Sequence, residues 1–170
     1  MKMNLKPLHR QLALAAIAAL ALGAGVAHAD EVVCNGRIDA VSIDGDVKVP
    51  SNVACTLAGT RVDGNVKVES GASLATQNAR IGGNVQAENH RQVNLAGGVV
   101  GGSVQLKQGG GANIASVSVK GDIQLFENRG AQTVRNNRVD GNLQCKSNSP
   151  APTGGGNIVQ GNKEDQCARL

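Results

Sequence analysis

The 170-residue chain reads as all-β: a single-stranded parallel β-helix, a three-sided solenoid with coils of about 19 residues. Three observations predict this. Gly45-Asp46-Val47-Lys48-Val49 returns as Gly64-Asn65-Val66-Lys67-Val68, Gly83-Asn84-Val85-Gln86-Ala87, Gly102-Ser103-Val104-Gln105-Leu106, Gly121-Asp122-Ile123-Gln124-Leu125 and Gly141-Asn142-Leu143-Gln144-Cys145. The spacings are 19, 19, 19, 19 and 20, with a last echo at Gly161-Asn162 after 20 more, and so regular a period means stacked units. Within each copy apolar and polar residues alternate, as on a strand with one buried face. Finally, the chain holds 23 Gly, one Phe and no Trp or Tyr, so its interior must be narrow and lined by small aliphatic side chains.

In chain order, the first element is a leader. Lys2, Lys6 and Arg10 precede the uncharged stretch Leu12 to Leu22, and Ala27-His28-Ala29 has the small-x-small spacing of a cleavage site, so residues 1–29 read as a signal peptide and 30–170 as the β-helix domain. The uncharged run to Ala29 thins in apolar residues after Leu22, short of the roughly 20 that a spanning helix needs. Cys34 follows Asp30-Glu31-Val32-Val33 rather than a lipobox. The expectation is a soluble periplasmic or secreted protein with no membrane span after processing. Three of the 17 basic residues lie in the leader, leaving 14 against 13 acidic ones. That near-neutrality, with no stacking aromatics to speak of, argues against nucleic acid as a partner.

Each coil should carry three strands. The first contributes two inward columns, Val47, Val66, Val85, Val104, Ile123, Leu143 and Val49, Val68, Ala87, Leu106, Leu125, Cys145. The second points inward at Cys55 and Leu57, Leu74 and Thr76, Val93 and Leu95, Ala112 and Ile114, Ala131 and Thr133; the third at Val62, Ile81, Val100, Val119 and Val139. One set of corners is Asn52, Gly71, His90, Gly109, Asn128, Asn148 and another Gly59, Asn78, Gly97, Ser116, largely residues that tolerate positive φ. Six to seven coils at the strand spacing make a prism roughly 30 Å long. Right-handed winding is expected, because right-handed crossovers dominate and 19 does not divide into the six-residue units of left-handed β-helices.

The four cysteines, Cys34, Cys55, Cys145 and Cys167, sit at the two ends, and an even number in an exported chain reads as disulfides. Linking one end to the other would span roughly 20 Å of stacked coils, whereas bridged Cα atoms lie within about 7 Å. That leaves Cys34 with Cys55 and Cys145 with Cys167. Each separation exceeds one coil by two residues, so at least one partner of each pair should leave the lattice, as a capping arm would. Ser147 to Asn157, with Pro150, Pro152 and Gly154-Gly155-Gly156, reads as an irregular loop. No Cys-x-x-Cys pair occurs and His90 is the one histidine beyond the leader, so neither a zinc site nor any other metal or cofactor is expected.

Catalytic chemistry is not expected either. His90 reads as an ordinary corner residue rather than a base. Asp44, Asp46 and Asp63, or Asp122 and Asp140, could form a glycosidase-like carboxylate pair, but the aromatic platforms of sugar-cleaving sites are missing. Calcium binding of the nonapeptide kind fails on period. An ice-binding face would need matched Thr ladders, and the column Leu57, Thr76, Leu95, Ile114, Thr133, Thr153 is mixed and expected to point inward. The most ordered exposed feature is the ladder Lys48, Lys67, Gln86, Gln105, Gln124, Gln144, flanked by Asp46, Asn65, Asn84, Ser103, Asp122 and Asn142 in a flat polar sheet. It reads either as a self-satisfied amide ladder or as a docking surface for a protein or polysaccharide of the envelope.

The Gly-Asn/Asp-Val-x-Val period, over residues 36 to about 145, resembles that of the bactofilins. The resemblance implies a right-handed β-helix and polymer formation, from which the leader and the stapled ends depart. The chain also resembles small exported bacterial β-helix proteins of unknown function that end in a Gly-Asn-Leu-Gln-Cys stretch, here Gly141 to Cys145, and a closing Cys, here Cys167; that likeness implies no activity. The expected role is a non-enzymatic, monomeric, rigid structural or interaction module, with a carbohydrate-binding module and a bactofilin-like scaffold as alternatives.

Overall fold

The structure, a computed structural model, describes residues 31–170, so the expected signal peptide lies outside the described residues. The described chain winds through about seven turns, laying down three parallel sheets and no helix. The first sheet has eight strands: Val32–Val33, Val47–Val49, Val66–Val68, Val85–Glu88, Val104–Lys107, Ile123–Phe126, Leu143–Lys146 and Lys163–Asp165. The second runs from Gly36–Ile38 through five-residue strands such as Ala54–Ala58 and Gly111–Ala115 to Thr153–Gly155. The third is made of two-residue strands from Ser42–Ile43 to Ile158–Val159.

Every strand pairs with its own copy one coil away, so Val85 lies between Val66 and Val104. Like side chains therefore stack on like. The column Val47, Val66, Val85, Val104, Ile123, Leu143 is wholly buried, and each such side chain contributes roughly 1.5–3 kcal/mol. A single coil has neither neighbour and could not hold that core.

The recurring Gly-Asx pair locks the coils together. Asp46 Oδ1 accepts the Asn65 N–H at 2.7 Å, Asn65 Oδ1 the Asn84 N–H at 2.9 Å, Asn84 Oδ1 the Ser103 N–H at 2.8 Å, and the chain of contacts continues through Ser103, Asp122 and Asn142 to the Asn162 N–H. Each of these oxygens fills the space where the preceding glycine of the next coil, Gly64, Gly83, Gly102, Gly121, Gly141 or Gly161, would carry a Cβ. The glycine is thus dictated by close approach rather than by φ. These residues form a corner that binds backbone, and not the flat polar sheet that alternation suggested.

Three further expectations are corrected. Gln132 and Val134, not Ala131 and Thr133, point inward, pairing with Ala112 and Ile114. The extra residue of this 20-residue coil sits in the corner before the strand and shifts the alternation by one. Thr133 and the Thr153 paired with it consequently face outward. Second, Ser147 to Asn157 is an irregular loop only in part: residues 147–152 carry no strand, but Thr153–Gly155 continues the second sheet against Thr133–Arg135. Third, only Asn52 (φ 63°) and Gly71 (φ 70°) of the first corner set adopt positive φ. From the Val85 coil onward that conformation falls one residue earlier, on Asn89, Gln108, Glu127 and Ser147, and His90, Gly109, Asn128 and Asn148 turn inward. The other set behaves as expected, with positive φ at Gly59, Asn78, Gly97 and Ser116.

Inside, Asn128 and Asn148 form a polar ladder. Asn128 Oδ1 accepts the Gly109 N–H, and its Nδ2 donates to Leu106 O and Asn148 Oδ1, both at 3.0 Å; Asn148 Nδ2 donates to Leu125 O at 2.7 Å. Gln166 ends the ladder, its Oε1 accepting the Asn148 N–H. Asn137 and Asn157 repeat the device at the next corner. Buried asparagines are affordable here because every stacked backbone group they face needs a partner.

The expected disulfides both form, Cys34–Cys55 and Cys145–Cys167, with Cα separations of 5.7 and 5.3 Å. Val32 pairs with Val47 only 15 residues on, so the chain cuts across the first corner, and Cys34 sits there, buried, to reach Cys55. Cys167 lies in the turn after the last strand, where it and Leu170 cover the C-terminal end of the core. Both bridges fit an oxidising compartment. Among the described residues no helix is long and apolar enough to cross a membrane.

Candidate binding face

The outer side of the first sheet carries the ladder, and it divides into two parts. At the N-terminal end the lysines are neutralised by salt bridges: Lys48 Nζ lies 2.8 Å from Glu69 Oε1, and Lys67 Nζ lies 2.7 Å from Asp46 Oδ2 and 3.8 Å from Glu31 Oε2. The Glu69 bond raises the pKa of Lys48, and the Asp46 bond that of Lys67. The Asn65 backbone N–H and then Lys67 hold Asp46 below its usual range, while Lys48 and then Ser51 do the same for Glu69.

Past Lys67 the ladder becomes amide. Gln86 Nε2 donates to Gln105 Oε1 at 3.3 Å, Gln105 to Gln124 at 3.0 Å, Gln124 to Gln144 at 2.8 Å, and Gln144 to Glu164 Oε2 at 2.9 Å. All six ladder residues read from the sequence thus share one face in register. Each glutamine spends one N–H on its neighbour, leaving a second N–H and an oxygen lone pair outward.

Sequence reading missed a second outward column. In the four coils from Val85 to Leu143 the first-sheet strands are one residue longer, and the added positions Glu88, Lys107, Phe126 and Lys146 stack in register beside the glutamines. The polar-apolar alternation does run one step further in Gln86-Ala87-Glu88 and Gln105-Leu106-Lys107, but it does so equally in Lys67-Val68-Glu69, where the strand stops at Val68, so it does not single the column out. Beside these columns lies an open depression of about 690 Å³ lined by Lys67, Glu69, Gln86, Glu88, Gln105 and Lys107 among others. A smaller one of about 240 Å³, lined by Glu88, Lys107, Gln108, Phe126 and Glu127, adjoins it. Sharing Glu88 and Lys107, the two form a trough along the stack.

The acids considered for catalysis are mostly engaged elsewhere, while Asp44 and Asp63 follow the paired residues Ile43 and Val62 on adjacent coils. Asp63 pairs with Arg61 at 2.9 Å, Asp140 with Lys120 at 3.0 Å, and Asp122 caps Asn142. His90 is 2 % exposed, its ring filling the space that a Cβ on Gly109 would need. Neither ring nitrogen has a hydrogen-bond partner, and burial lowers its pKa, opposed more weakly by the nearby Ala87 and Gly111 backbone. It is a corner residue turned into the interior. Among the described residues no group of His, Cys, Asp and Glu is arranged to hold a metal ion. Comparison with protein-family models, curated proteins and solved structures finds no match for this β-solenoid.

Proposed function

We propose that the chain is an exported, non-enzymatic interaction module, periplasmic or secreted, whose rigid solenoid presents the first-sheet face to a partner in the envelope or outside the cell. The observation that carries this reading is the outward repetition of one amide per coil from Gln86 to Gln144 on a stapled scaffold. Such an array needs no ordering on binding, which lowers the entropic cost of docking. The reading favours a polysaccharide over a protein partner, because the free N–H and C=O groups repeat along the axis as sugar hydroxyls do along a glycan. A glycan array tests it: selective retention of linear glycans, reduced in Gln105→Ala/Gln124→Ala, is the expected result. No retention, or retention indifferent to those substitutions, removes it.

The bactofilin-like polymer is the competing reading. The turn around Cys167 and Leu170, which covers the C-terminal end, favours a monomer. Sedimentation of the oxidised protein decides between them, with filaments supporting the polymer.

A further inference from the structure

Phe126 is the one aromatic side chain in 170 residues, and it lies half-buried on the outer face of the first sheet. It stacks in register between Lys107 and Lys146. Lys48 and Lys67 on the same face are neutralised, whereas Lys107 and Lys146 form no salt bridge among the described residues. The free positive charge of this face therefore brackets its one aromatic ring, at the end of the trough and beside Gln105, Gln124 and Gln144.

We propose that this is a binding site for a linear polysaccharide bearing a uronate on alternate sugars, an inference that rests on the carbohydrate reading of the face. A pyranose is about as long as one strand spacing, so a glycan lying along the axis sets one sugar against each coil. Lys107 and Lys146 are two coils apart, about 10 Å by strand spacing, and so meet the carboxylates of every second sugar. The neutral sugar between them lays its C–H face on Phe126, an apolar surface of matching size. The outward amide groups of Gln105, Gln124 and Gln144 face its hydroxyls. Two acids set the pattern. Glu88 adjoins Lys107 in register, and Glu127, whose Oε2 accepts from Gln108 Nε2 at 3.0 Å, borders Phe126. A chain charged on every sugar would bring a carboxylate against one of them, whereas alternate charges avoid both.

Titration calorimetry on the oxidised protein tests this with three probes: hyaluronan oligosaccharides (alternating uronate), oligogalacturonate (uronate on every sugar) and neutral cello-oligosaccharides. Hyaluronan should bind most tightly. Lys107→Gln and Lys146→Gln should each weaken it about fivefold, as expected for an exposed charge pair, and flatten its salt dependence. Phe126→Leu should also weaken it about fivefold while Phe126→Tyr retains it, since a flat ring rather than apolarity is required. All three positions are outward, and unchanged melting temperatures will show that folding is intact. Equal binding of the neutral probe, or indifference to the lysine and phenylalanine substitutions with Gln105→Ala/Gln124→Ala still reducing binding, would overturn the uronate site and leave the carbohydrate reading standing. Tighter binding of oligogalacturonate would overturn the alternating pattern. Binding of none of the three would overturn the uronate site, and the glycan array then decides the wider reading separately.

Discussion

The coils beginning at Gly45 and Gly64 and those beginning at Gly83, Gly102, Gly121 and Gly141 share one motif yet turn their first corner differently. In the former, the strand ends after three residues, positive φ falls on Asn52 or Gly71, and Val53 and Ala72 fill the inner corner. In the latter, the strand runs to a fourth residue, positive φ moves one place earlier, and His90, Gly109, Asn128 and Asn148 occupy the inner corner instead. An extra rung of parallel pairing thus exchanges an apolar corner for a polar one. It also adds an outward column that includes Phe126. Placement of the left-handed residue decides which side chain goes inside, because it reverses the direction of the next Cβ.

The largest effect expected from breaking this contrast is at Asn128. Asn128→Ala strands the buried Gly109 N–H and removes donors to Leu106 O and Asn148 Oδ1, at a cost of about 3 kcal/mol. Asn52→Ala, at the exposed equivalent, should cost well under half as much; urea denaturation midpoints give both values. Equal losses would show that the polar corner holds no special place.

Gly109→Ala comes next. Its Cβ would enter the space of the His90 ring, an overpacking cost of about 2 kcal/mol. His90→Ala/Gly109→Ala should recover part of that loss in a double-mutant cycle, and purely additive losses would contradict the packing described.

A smaller effect is pH dependence. The folded pKa of His90 is lowered by burial, so below about pH 6.5 the unfolded chain takes up a proton that the folded chain resists. Its stabilising contribution is complete above that pH and falls as pH drops toward the folded value. The midpoint difference between pH 7.5 and pH 5.5 should therefore be larger in the wild-type chain than in His90→Asn. The smallest effect belongs to the other half of the face. Lys48→Gln removes an exposed salt bridge to Glu69, and its denaturation midpoint should match that of the wild type within error.

Much of this was legible in the residues themselves. The period, the aliphatic columns, the third-strand positions Val62 to Val139 and both cysteine pairs follow from spacing alone, because a strand's alternation and a disulfide's reach are local geometric limits. The ladder Lys48 to Gln144 was legible for the same reason. The second outward column was not, since a residue such as Lys107 or Phe126 belongs to the strand only if the neighbouring coil pairs with it. Neither was the inward turn of Gln132, which depends on where a 20-residue coil stores its extra residue.

The sequence by itself determined a three-sided stack of about 19-residue coils, through a repeat whose alternation admits one buried face. Tertiary structure alone decided the corners. Whether Asn52 faces water or Asn128 faces the core is settled by hydrogen bonds to adjacent coils, and the role of a glycine such as Gly83 by the Asn65 oxygen lying over it. Those are contacts between residues about one coil apart in sequence, from 18 positions for Gly83 and Asn65 to 22 for Asn128 and Leu106, which no local pattern encodes.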